Sequence, residues 1–88
     1  MTIPTISLNG STKAVLLQDI CEAREKLHDA IAALRACSPH PRDYQLSIDG
    51  DYGRAQAEHR ARKDKLCEVY TELEQLALQI DESAPDAR

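Results

Sequence analysis

Residues 66–80 read LCEVYTELEQLALQI, and the apolar members of this stretch decide the fold. Leu66, Val69, Leu73, Leu76 and Ile80 alternate at spacings of three and four. That is the seam of a helix lying along another helix, with Tyr70 and Ala77 widening the stripe. A mate lies upstream, where Leu16, Ile20, Ala23, Leu27, Ala30, Leu34 and Cys37 follow the same alternation. Two helices of matched length joined by a Pro- and Gly-containing connection make an antiparallel hairpin. The expected fold class is all-α: a two-helix hairpin with an extended N-terminal arm and a long ordered connection.

The boundaries follow from local chemistry. Residues 1–10 carry β-branched side chains, a Pro and no helical period, so they read as an extended arm with Ile6 and Leu8 on one side. Asn9 and Ser11 are the candidate N-caps of a first helix over 11–37, which Ser38-Pro39 ends. The connection, 38–53, is sixteen residues long, where about two to eight are common between helices. Tyr44, Leu46 and Ile48 alternate with polar residues there, which predicts a short strand packed on something. Asp49-Gly50 is turn chemistry, and Asp51 is a candidate cap for a second helix over 53–80, followed by a polar tail over 81–88.

Matching Leu27 with Leu66 sets Ile20 against Leu73, Leu16 against Leu76 or Ala77, Ala30 against Arg62 and Leu34 against His59. The seam thus turns polar near the connection, and such local inconsistencies cluster at functional sites. Ala23, Ala30 and Cys37 recur every seven residues. Small residues in a seam draw two helices together, toward the short end of an interaxial range of about 8–10 Å. Leu17 and Ile31 flank this seam with Arg24 between them, and they suit a second helix contact.

Eighty-eight residues make one domain, without Trp or Phe and with three Tyr as the aromatics. One apolar stripe per helix buries too little surface for comfortable stability, and association is the usual remedy. The expectation is a homodimer forming a four-helix bundle. Its hairpin and dimer interfaces draw on Leu16, Leu17, Ile20, Leu27, Ile31, Leu34, Leu66, Val69, Tyr70, Leu73, Leu76 and Ile80.

The net charge of −4 disfavours nucleic acid as a partner, but the charge is unevenly spread. Residues 35–65 carry seven basic and five acidic side chains, whereas 66–88 carry one and six. Three unevenly spaced cysteines (Cys21, Cys37 and Cys67) give neither a CxxC pair nor a disulfide framework, and a reducing cytoplasm suits them. Met1 to Gly10 lacks the basic start and apolar run of a signal peptide, and no run reaches transmembrane length.

His40, Arg42, Tyr44, Tyr52, Arg54, His59 and Arg62 gather near the loop end of the hairpin. A functional reading makes them a pocket for an anion or nucleotide, with guanidinium forks on phosphate and Tyr rings for stacking. The plainer reading has Arg62 lying along the helix and His59 bonded to the connection. Cys37, His40 and His59 share that end, but zinc sites show tight ligand pairs and a buried thiol is the commoner role for such a Cys. The acids around Gly50 miss the first and twelfth ligands of a calcium loop. Glu22 and Glu25 have an ExxE spacing but sit off the seam, without an inward acidic partner pair. No catalytic residues, metal site or cofactor are expected, because no phosphate loop or nucleophile motif occurs.

One pattern resembles a known group. Pro41-Arg42-Asp43-Tyr44, then Gly53, then AEHRAR at 57–62 and LEQLA at 73–77, with Leu8-Asn9-Gly10-Ser11 ahead of them, is similar to small helical proteins of tailed phages and prophages of proteobacteria. The resemblance spans about residues 8–80 and departs from the group at Pro41, where a Gly stands there, and at Gln45, where a second Tyr does. It implies a bacterial host cytoplasm and an accessory role, such as altering host metabolism or blocking a defence system, and it brings no assigned activity. The resulting expectation is a non-enzymatic, homodimeric helical scaffold that binds a host protein. Capture of an anionic nucleotide-like molecule at the loop ends is the second expectation. A nucleic-acid-binding dimer using Arg54, Arg60, Arg62, Lys63 and Lys65 is the third and weakest.

Overall fold

A computed structural model of the chain describes residues 1–4 and 12–82. The expectations for Ile6, Leu8, Asn9, Ser11 and residues 83–88 lie outside the described residues. Helix α1 spans Lys13–Ala36 and helix α2 spans Asp51–Glu82, and the two pack against each other as a hairpin. Thr12 caps α1: it is extended, and its Oγ1 accepts a hydrogen bond from the Val15 amide at 3.2 Å. At the other end the Cys37 amide bonds to the Leu34 carbonyl at 3.0 Å, and the Ser38 amide to the Arg35 carbonyl at 3.2 Å. Pro39 follows, so the helix stops where the pattern of residues 38–39 says it must.

Helix α2 starts two residues earlier than expected. Gly50 sits at φ 91°, in the region that favours glycine, and reverses the chain directly into Asp51. The Gly50 carbonyl accepts from the Arg54 amide at 2.9 Å, so the turn feeds the first helical hydrogen bonds.

The connection is ordered differently from its alternation. A 3-10 turn over Pro41–Tyr44 takes the place of the expected strand, and no strand occurs among the described residues. His40 caps this turn, its Nδ1 accepting from the Arg42 amide at 3.1 Å, and Pro41 has the fixed φ that the first position wants. Tyr44 packs against the Tyr52 ring, centroids 5.9 Å apart. Leu46 and Ile48 are not packed at all: they are fully and 78% exposed.

The hairpin seam is real, but its phase differs from the expected one. Leu17, Ile20, Arg24, Leu27, Ile31 and Leu34 of α1 turn inward, and so do Lys63, Leu66, Tyr70, Leu73, Ala77 and Ile80 of α2, with Leu16 and Leu76 half-buried beside them as expected. Ala23, Ala30 and Cys37 are exposed, and Val69 is 45% exposed. Ile31, expected to flank the seam, is instead the buried residue of α1, at 7% exposure. The register is displaced as well. His59 meets Ser38, where the expected pairing gave it Leu34, a shift of about one helical turn.

The result is long and thin, 67 × 20 × 17 Å, with a radius of gyration of 19.4 Å. A compact 88-residue domain would have a radius near 12 Å. Among the described residues only Ile31 and Ile80 are buried, so this is a seam and not yet a core.

Candidate functional site

Three features of the hairpin surface carry polar chemistry, and the turn between the helices positions two of them. Ser38 leaves α1 with its hydroxyl aimed back at the Arg35 carbonyl, 2.7 Å away, and its oxygen 3.2 Å from His59 Nε2. This clamp ties the end of α1 to α2. On one side of it lies a depression of about 470 Å³ lined by Tyr44, Arg54, His59 and Arg62, together with Asp43, Asp51 and Glu58.

Four of the seven residues expected at an anion pocket therefore come together, while His40, Arg42 and Tyr52 do not line it. His40 is spent as a cap, Arg42 lies beside Asp43 at 4.0 Å, and Tyr52 stacks on Tyr44. The two arginines that do arrive are already matched. Arg54 is paired with Asp51, and Arg62 lies 3.6 Å from Glu58 one turn earlier. With three carboxylates against two guanidiniums, this depression repels a phosphate more than it invites one.

On the other side of the clamp, a smaller depression of about 290 Å³ is lined by Arg35, His59, Arg60 and Lys63 and by no carboxylate. Arg60 and Lys63 were expected only in the nucleic-acid alternative, and Arg35 escaped the sequence reading because it belongs to the last turn of the other helix. Helix pairing is what joins them. Arg35 lies in the last turn of α1, where the helix dipole favours a cation.

The third feature sits mid-hairpin. Arg24 occupies a seam position with its guanidinium over the Tyr70 ring, 4.5 Å from the centroid, and Nη2 3.7 Å from Glu74. His28 lies against the same ring, centroids 6.3 Å apart.

No group of three or more metal-ligating side chains occurs among the described residues. Cys37, expected as a buried thiol, is exposed, its Sγ 3.6 Å from the Ala33 carbonyl, and all three cysteines are free. Glu22 and Glu25 are exposed on α1. No described helix is long and apolar enough to cross a membrane. No family model, curated protein or solved structure matches the chain.

Proposed function

We propose that the chain is a non-enzymatic interaction protein, a homodimeric helical scaffold that works by binding another protein. One observation carries this reading: only Ile31 and Ile80 are buried among the described residues, while Leu46, Ile48, Val69, Leu78 and Val15 stand exposed. The accessible surface is 6679 Å², against about 5,200 Å² for a compact monomer of 9.8 kDa. Two copies covering that excess of about 1,500 Å² each would bury about 3,000 Å² in all, within the range of obligate homodimers.

Leu46 and Ile48 at the hairpin tip suit a different occupant. Two large apolar side chains on a short, ordered turn are an anchor of the kind that fills a pocket on a partner. The phage-type resemblance supplies the class of that partner, a protein of a bacterial host, with components of defence systems the first to examine. Light scattering tests the dimer, and a mass near 9.8 kDa at high micromolar concentration counts against it. Affinity capture from a bacterial lysate, with the wild type beside a Leu46→Ser/Ile48→Ser double variant, tests the anchor. A host protein retained by the first and lost by the second supports the reading; equal capture by both removes the tip from it.

A second reading, capture of a small anionic molecule such as a nucleotide, is favoured by the basic depression at Arg35, Arg60 and Lys63 and not by the residues first suspected. A nucleotide at a hundred times its dissociation constant stabilises the fold by about 2.7 kcal/mol. A thermal-shift series over nucleotides and pyrophosphate, repeated on Arg35→Ala/Lys63→Ala, decides it: no shift with any of them ends the reading. Salt-dependent retention of DNA would be needed for the nucleic-acid alternative.

A further inference from the structure

The two flanks of the hairpin seam differ in the middle of their length. The depression lined by Cys37 and Arg62 joins one edge of α1 to one edge of α2. Following those edges at seven-residue steps gives Leu16, Ala23, Ala30 and Cys37 on α1, and Arg62, Val69 and Leu76 on α2, apolar apart from Arg62. The opposite flank is marked by the Arg24–Glu74 pair, the His28–Tyr70 contact and the depression shared by Arg35 and Arg60. Away from the loop end, where Glu58 and Arg62 stand on it, the first flank carries an apolar column, while the second is marked by charged and ring-bearing side chains. Two helices that needed only each other would keep a narrow two-column seam; a third apolar column is the pattern of helices in a larger bundle.

We infer that the apolar flank receives a second copy of this chain, about a two-fold axis parallel to the long axis of the hairpin. This rests on the dimer reading above and specifies its surface. That axis lays α1 of one protomer along α2 of the other, small column against large. The hairpin register places Leu76 nearly level with Ala23, and Val69 nearly level with Ala30. Ala23 and Ala30 then offer the hollows that Leu76 and Val69 of the partner fill, and each pair occurs twice, as an isologous interface requires. Farther out, the same operation sets Lys26 beside the partner's Glu72, opposite charges at the rim. Each elongated chain exposes about 1,500 Å² more than a compact monomer of its mass, which leaves room for the interface of a permanent dimer. A two-fold axis across the helices would instead oppose small to small and large to large.

Light scattering on Ala30→Glu and His28→Glu, one per flank, tests the surface, since both residues are exposed in the hairpin. The expected result is a monomer for Ala30→Glu and a dimer for His28→Glu. Two dimers overturn this flank while leaving the dimer reading intact, and a monomeric wild type overturns both. Should Ala30→Glu fail to fold, oxidation of mixed proteins decides. With Cys21, Cys37 and Cys67 changed to Ser, one chain carries Ala30→Cys and the other Val69→Cys. A disulfide-linked mixed dimer in excess of either self-linked dimer is expected; its absence, or self-linked dimers alone, overturns the proposed axis.

Discussion

The Arg24 guanidinium lies 4.5 Å from the centroid of the Tyr70 ring, in the middle of a seam that is otherwise mostly apolar. A cation over an aromatic face is attracted by the ring quadrupole, by about 0.5–2 kcal/mol according to exposure. Here the gain is incomplete: the Nε of Arg24 is buried without a hydrogen-bond partner, and Glu74 approaches only to 3.7 Å. A polar residue at one seam position typically costs stability while fixing register and orientation. Arg24→Leu should therefore raise the melting temperature, and Arg24→Lys should lower it, because an ammonium lacks the planar stack. Circular dichroism at 222 nm reads both; a loss of more than about 1 kcal/mol in Arg24→Leu would show that the stack outweighs the burial cost.

The phase of α2 is tested by two neighbours of similar size. Ile80 is 1% exposed and Leu78 is 54% exposed. Ile80→Ala should cost about 2–5 kcal/mol through lost burial and the cavity left behind, and Leu78→Ala less than about 1 kcal/mol. Urea titration followed by helicity gives both values. Similar losses from the two would mean that the seam lies elsewhere on the helix.

Both helices were legible because the three-four spacing admits no other reading, but their contact phase was not. On α1, the column of Ala23, Ala30 and Cys37 and the column of Leu17, Arg24 and Ile31 compete for the same seam. Apolarity favours the first, and Arg24 argues against the second until Tyr70 is placed beneath it. On α2, Val69 and Leu76 compete with Tyr70 and Ala77 in the same way. Size settles it in the folded chain, since Ile31 and Tyr70 bury more than Ala30 and Val69 can. The strand expected over Tyr44 to Ile48 had alternation but no neighbouring strand, and Pro41 with its His40 cap favoured a turn. At the candidate site the meeting of His59, Arg62 and Tyr44 was legible from hairpin geometry. The Glu58–Arg62 pair stands at a four-residue spacing that the sequence shows, whereas the Asp51–Arg54 pair requires α2 to begin at Asp51, two residues before its expected start.

Two of the glycines should respond with opposite signs. Gly50 has φ 91°, and a Cβ there would stand 3.2 Å from the Arg54 guanidinium, so Gly50→Ala should cost about 1 kcal/mol or more. Gly53 is inside α2 with nothing within 4 Å of an added Cβ, so Gly53→Ala should stabilise by about 0.5–1 kcal/mol. Thermal melts of the two variants check the start of α2. A destabilising Gly53→Ala would place that helix start later, near where the sequence pattern alone puts it.

The clamp between Ser38 and His59 fixes which ring nitrogen carries the proton. A hydroxyl has one proton to donate, and Ser38 Oγ gives it to the Arg35 carbonyl at 2.7 Å. Toward His59 Nε2, 3.2 Å away, the same oxygen must therefore accept, and the imidazole must carry its proton on Nε2. Any side chain that donates from that position preserves the tie between α1 and α2, and one that cannot donate breaks it. His59→Gln, whose amide donates, should stay within about 0.5 kcal/mol of wild type, whereas His59→Leu and Ser38→Ala should each lose about 0.5–1.5 kcal/mol. Nitrogen-15 spectra of the neutral ring should show Nε2 protonated. An Nδ1-protonated ring, or a His59→Leu variant as stable as the wild type, would mean that the clamp does not hold the helix ends together.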